Sequence, residues 1–92
     1  MASKPNQSEQ EAQLRTEGYT HIFEWSDPPN AHYPPHVHST ETTHLILEGE
    51  LTLAMNGQTR TFVAGDRADV GAQELHEAWM GPNGCRYLVG EK

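Results

Sequence analysis

From Gly18 onward the chain is a series of short runs rich in Thr, Val, Ile, Leu and aromatic residues, each cut off by Pro, Gly, Asn or Asp. Breaks this closely spaced stop an amphipathic helix before it can bury a face, so the pattern predicts an all-β barrel or sandwich. Strands are expected near Tyr19–Trp25, Pro35–His38, Thr43–Glu48, Leu51–Met55, Thr59–Val63, Ala68–Val70, Glu74–Met80 and Arg86–Val89. Asn56-Gly57 is the best supported turn, because a two-residue hairpin needs positive φ at both central positions and Asn-Gly tolerates this. Pro82-Asn83-Gly84 reads as a second turn, and SDPPNAH, between Trp25 and Tyr33, as a loop. Leu51, Leu53 and Met55 share one strand face and Thr52 and Ala54 the other, while the run Leu45-Ile46-Leu47 reads as buried on both sides.

Residues 1–17 have a different character from residues 18–92, which form the single domain. Met1 to Gln13 (MASKPNQSEQEAQ) lacks aromatic and β-branched residues and buries too little apolar surface to offset the entropy of ordering it, so a mobile or weakly helical tail is expected. A helical turn over Ser8–Arg15 would use Ser8 as cap with Glu11 three residues on, and Leu14 as its one anchor.

A chain of 92 residues makes one domain, and a domain of that size buries only about 60–65% of its unfolded surface. With 35% apolar residues, a bound metal or a partner subunit is a natural further source of stability. The formal charge of −7, without a Lys/Arg cluster, argues against nucleic acid or an anionic membrane as partner. The single cysteine, Cys85, allows no internal disulfide, and no apolar stretch matches a membrane span or a signal peptide, so a cytoplasmic protein is expected.

His36 and His38 are two residues apart and, on a strand, would face the same way at a separation one small cation bridges. Their surroundings, PPHVHSTETTHLILEGEL followed by GDRADVGAQELH, resemble the two motifs of the cupin superfamily across roughly half the chain. The first motif runs from an H-x-H through a glutamate to a strand-ending glycine, and His36, His38 and Gly49 stand in those places. The second begins Gly-Asp and ends in histidine, here Gly65-Asp66 and His76. The resemblance implies a cupin-type jelly-roll β-barrel holding one divalent ion (Fe, Mn, Zn, Ni or Cu) on His36, His38 and His76, with positions open to water or substrate.

The chain departs from the pattern at the glutamate, which falls on Thr42. His44 is the preferred replacement ligand and Glu41 the other; an unligated His44 would serve as general acid or base. Gly71 replaces the proline of the second motif and Met80 the asparagine after its histidine. His21 and His32 read as surface or supporting histidines, Trp25 and Trp79 as core in preference to walls of a ligand pocket, and Tyr33 as a guard at the pocket mouth. Cys85 has no activating base.

Two functions compete at this level. One is a metalloenzyme acting on a small polar organic substrate by dioxygenase, isomerase or lyase chemistry. The other is a non-catalytic module binding a small metabolite. A homodimer is expected because short barrel strands leave edges and an apolar outer face to cover, but an empty dimeric barrel would leave the histidines without a purpose.

Overall fold

The computed structural model describes residues 6–92, so residues 1–5 of the expected tail lie outside it. The elements are a helix α1 (Gln7–Thr16) and strands β1 (His21–Asp27), β2 (His32–His36), β3 (Thr42–Met55), β4 (Gln58–Val63), β5 (Arg67–Val70) and β6 (His76–Glu91).

Six strands stand where eight were expected, because two pairs fuse into the long antiparallel partners β3 and β6. Register runs from Thr42 opposite Glu91 to Met55 opposite His76, with irregularities between Ile46 and Glu48 and between Gly49 and Leu51. Extra residues in a ladder bend the bulged strand and raise its twist. Beyond the bend, one half of the pair carries β1 and β5 on its edges, and the other carries β2 and β4. The result is two facing four-stranded sheets that share their central strands, with the ends of β3 and β6 meeting at one open end.

Gly49 shows why the bend sits where it does. Its φ is +81°, and a Cβ there would collide with the carbonyl oxygen of Gly84. A glycine read as ending a strand instead carries the strand around the corner. Pro82-Asn83-Gly84, read as a turn, lies within β6 at the same corner, where no ladder bond is asked of the proline nitrogen. Asn56-Gly57 is the expected hairpin turn, with φ of 55° and 76° joining Met55 to its partner Gln58.

The two faces of β3 are both used. Ile46, Leu51 and Leu53 join Phe62, Val70, Met80 and Tyr87 in the core between the sheets. Leu45 and Leu47 point outward and pack with Ile22, Leu88, Tyr19 and Leu14 under α1. Helix α1 thus covers part of the apolar outer face that a partner subunit was expected to cover. Its cap is Asn6 rather than Ser8, because Asn6 adopts the extended conformation and its side chain accepts from the Glu9 amide at 2.8 Å. Leu14 is its one buried residue, as expected, contributing about 2 kcal/mol. Glu17, just after the helix, is clamped by the Arg67 guanidinium of β5, which holds its carboxyl down to about 2.

Neither tryptophan is in the core, and Trp25 takes the other place open to it, as a wall of the cavity. Trp25 is 49% exposed at the cavity edge, and Trp79 stacks on His32 on the outer side of the second sheet, with ring centroids 5.5 Å apart. Neighbours along a strand alternate faces, and Ala78 and Met80 take the inward positions on either side of Trp79. Among the described residues no helix is long and apolar enough to cross a membrane.

Alanine substitution at two positive-φ glycines separates conformational strain from collision. Gly57 has open space around it, so Gly57→Ala should cost about 1–2 kcal/mol and lower the melting temperature by roughly 4–16 °C. Gly49→Ala adds a clash with backbone and should abolish the cooperative melting transition followed by circular dichroism.

Candidate metal centre

β2 ends at His36, which pairs in register with His76 at the start of β6. His38 lies two residues beyond the strand, so the strand pleat does not place it, although its ring meets that of His36 as expected. Its backbone is placed instead by the neighbouring loop, where the Gln73 amide donates to the His38 carbonyl at 2.9 Å. That contact ties the segment carrying His38 to the segment leading into His76. The latter is itself held by Glu74, whose carboxylate accepts from the Gly71 amide and from Asn56, both at 2.8 Å. A proline at position 71 would have no N–H for that bond, so the glycine in its place has a local use.

The three rings converge. Centroids lie 4.2 Å apart for His36 and His76, 4.8 Å for His38 and His76, and 5.0 Å for His36 and His38. One potential ligand atom from each falls within 4.8 Å of the others. The Nε2 atoms of His38 and His76 are 3.1 Å apart; two nitrogens each about 2.0–2.1 Å from one ion are separated by roughly 3.0–3.4 Å.

Protonation of the rings follows from their backbone partners. His36 Nδ1 sits 2.7 Å from the Pro34 carbonyl and His76 Nδ1 2.9 Å from the Glu74 carbonyl. A carbonyl only accepts, so each Nδ1 carries the proton and each neutral ring keeps its Nε2 lone pair for a cation. Burial holds the pKa of His38 and His76 below the ordinary histidine value, and repulsion from neighbouring imidazoles adds to it. Neutral imidazole is the metal-binding form. By donor chemistry and spacing, these residues fit a divalent ion.

The rings line a cavity of about 280 Å³ between the sheets. Its walls are mainly apolar, with Phe23, Leu51, Leu53, Met80 and Val89 prominent, and among the described residues Glu91 is its one carboxylate. Among the described residues no Lys or Arg lines it. Tyr33 and Tyr87 come from opposite sheets, and both donate to Asp27, at 2.7 and 2.6 Å. Burial, then the Asp27 carboxylate, raises both phenols above their ordinary range. Tyr33 therefore helps pin the two sheets together as well as lining the pocket. Asp27 carries no motif that marks it in the sequence; besides Trp25, two residues away, its partners are 6 and 60 residues away.

His44 lines the same cavity from β3 but stands outside the three-histidine group, its centroid 6.5 Å from that of His38. Its Nδ1 contacts the Ala68 carbonyl at 3.2 Å, and burial pushes its pKa down to about 4. Thr42 is fully buried. Glu41 is paired with Lys92 at 2.6 Å. His21 is exposed beside Glu91, and His32 contacts Glu77 at 2.6 Å on the outer surface. Cys85 is buried, which pushes its thiol up to about 11.

Comparison with known proteins agrees with this architecture. No curated protein sequence matches significantly. Among solved structures, the chain is similar to a cupin superfamily protein from Desulfitobacterium hafniense, at 23% identity and TM-score 0.68 over 76% of this chain and 63% of that one. It is similar to the DMSP lyase DddQ from Ruegeria pomeroyi, at 25% identity and TM-score 0.70 over 77% and 36%. It is also similar to the polyketide cyclase RemF from Streptomyces resistomycificus, at 29% identity and TM-score 0.65 over 84% and 58%. This chain spans less than two thirds of the length of each of these three. The family profile described as "Cupin domain" matches residues 23–89, and with its two motifs folded into one histidine-lined barrel the chain belongs to the cupin family.

Proposed function

We propose that this cupin is a metal-dependent enzyme acting on a small organic molecule that has an apolar body and one or two oxygens able to bind a cation. The observation that carries this reading is the convergence of His36, His38 and His76 in the wall of a mainly apolar cavity. A cavity of about 280 Å³ suits a small metabolite. Among the described residues no Lys or Arg lines it, so a divalent ion would be the one positive charge available to an anionic oxygen there. A divalent ion on these imidazoles would supply Lewis acidity toward an enol, catechol or keto oxygen, the chemistry common to dioxygenase, isomerase and lyase reactions. The names of two similar structures, a lyase and a polyketide cyclase, are in keeping with this.

The protein's own groups then divide the work. His36 and His76 are oriented through their Nδ1 bonds to backbone carbonyls. The apolar walls exclude water and hold the body of the substrate. His44 keeps its proton on Nδ1 toward Ala68, so its Nε2 lone pair is left to accept a hydrogen bond or a proton from the substrate.

Metal analysis of purified protein, then oxygen uptake with iron(II) and a panel of enols, catechols and keto acids, tests this reading. His76→Ala should keep the fold by circular dichroism and lose turnover by at least about 100-fold. Tight metabolite binding without turnover, indifferent to that substitution, would make the chain a binding module instead.

His44 predicts a pH effect on the metal-free protein. Its folded pKa of about 4 lies below the ordinary 6.5, so between those values the unfolded chain takes up a proton that the folded one refuses. Stability is unaffected by His44 above pH 6.5 and falls as pH drops from there toward 4, by about 3 kcal/mol in all. Asp69 opposes this shift, and His38 and His76 reinforce it. Urea denaturation at stepped pH should show a flatter acid decline in His44→Leu than in the parent.

A further inference from the structure

The cavity holds one carboxylate that the cupin motifs do not account for. Glu91, on the last strand, lines it together with His36, His38, His44 and His76. In the β3–β6 ladder Glu91 stands directly opposite Thr42, the position where the cupin pattern carries glutamate. Residues paired across a ladder project to the same face of the sheet. A carboxylate has therefore been lost from one strand and is present on the strand beside it, on the same face.

The two residues nearest the motif position offer no free charge. Glu41 is held by Lys92. The Thr42 hydroxyl is buried with no hydrogen-bond partner among the described residues, and a hydroxyl brings no charge to a cation. Glu91 is loosely held: its basic neighbour is His21 Nε2 at 3.8 Å, beyond hydrogen-bond length, and its side chain is 39% exposed. It lies outside the group of three rings, so reaching their common point requires a change of side-chain rotamer.

Electrostatics favours that change. Three neutral imidazoles leave both charges of a divalent ion uncompensated beside apolar walls, and one carboxylate halves that excess. We propose that Glu91 is the carboxylate of this centre, turning from the cavity rim to join His36, His38 and His76 around the ion in place of the glutamate missing at Thr42. The assignment rests on the metal-binding reading above.

Calorimetric titration of the metal-free full chain with Mn²⁺ and with Zn²⁺ tests it, using the parent, Glu91→Gln and His76→Ala. Carboxylate oxygen favours the harder ion, so Glu91→Gln should weaken Mn²⁺ binding by about 10–100-fold and Zn²⁺ binding less. The metal-free variant should melt with the parent, since Glu91 is half-exposed. Unchanged Mn²⁺ affinity in Glu91→Gln, alongside lost affinity in His76→Ala, overturns the Glu91 assignment and leaves the histidine centre standing. A parent that binds neither ion removes the centre and the assignment together. A drop in metal-free melting temperature matching the affinity loss would give Glu91 a structural role and also overturn the proposal.

Discussion

The bend shared by β3 and β6 is the constraint on which the rest of the molecule depends. Two strands that stayed straight would form one flat ribbon with its ends far apart. Bent at Gly49 and across residues 81–84, the same pair builds both sheets, and residues at its two extremes meet at the open end. His76 and Glu91 are the first and last residues of one strand; the corner between them is what lets both line one cavity. The corner holds because Gly49 and Gly84 adopt positive φ and their backbones approach too closely for a side chain at position 49.

The cavity follows from the same geometry. Inward-facing residues of both sheets fill the volume near the corner, where Asp27 draws a tyrosine from each sheet onto one carboxylate. Toward the open end the filling stops and the imidazoles begin. Pairing of β2 with β6 sets His36 and His76, and two loops that grip each other through the Gln73 amide and the His38 carbonyl set His38. Helix α1 works on the opposite side, capping the outer face with Leu14 and tied to β5 through Glu17 and Arg67. The site and the helix thus lean on opposite faces of β3, where alternation sends His44 and Ile46 inward and Leu45 and Leu47 outward.

Local chemistry made much of this legible before any coordinates. Asn56-Gly57 had to be a hairpin turn because few residue pairs accept positive φ twice in succession. The alternation of Leu51, Leu53 and Met55 with Thr52 and Ala54 had to put one face in the core; Thr52 duly meets the Thr61 hydroxyl on the other, at 2.9 Å. The cupin motifs named His36, His38 and His76, and the three rings converge. Features that depend on distant partners were misread. Pro82-Asn83-Gly84 has turn chemistry but sits in a bent strand, because the opposing bulge at Gly49 absorbs its irregularity. The tryptophans were assigned to the core by size, yet strand alternation gave the inward places to Ala78 and Met80.

What the sequence determined by itself is therefore the class of fold and the hairpin at Asn56-Gly57, since turn preferences and strand alternation act over a few residues, while the converging imidazoles were named by the resemblance to the cupin motifs. Tertiary structure decided that β3 and β6 each run through both sheets, that His44 stands apart from the three rings while lining their cavity, and that Glu91 faces that cavity opposite Thr42. Those are matters of register between strands dozens of residues apart. Register is set by long-range pairing and by where the bulges fall, and no short window of sequence contains it.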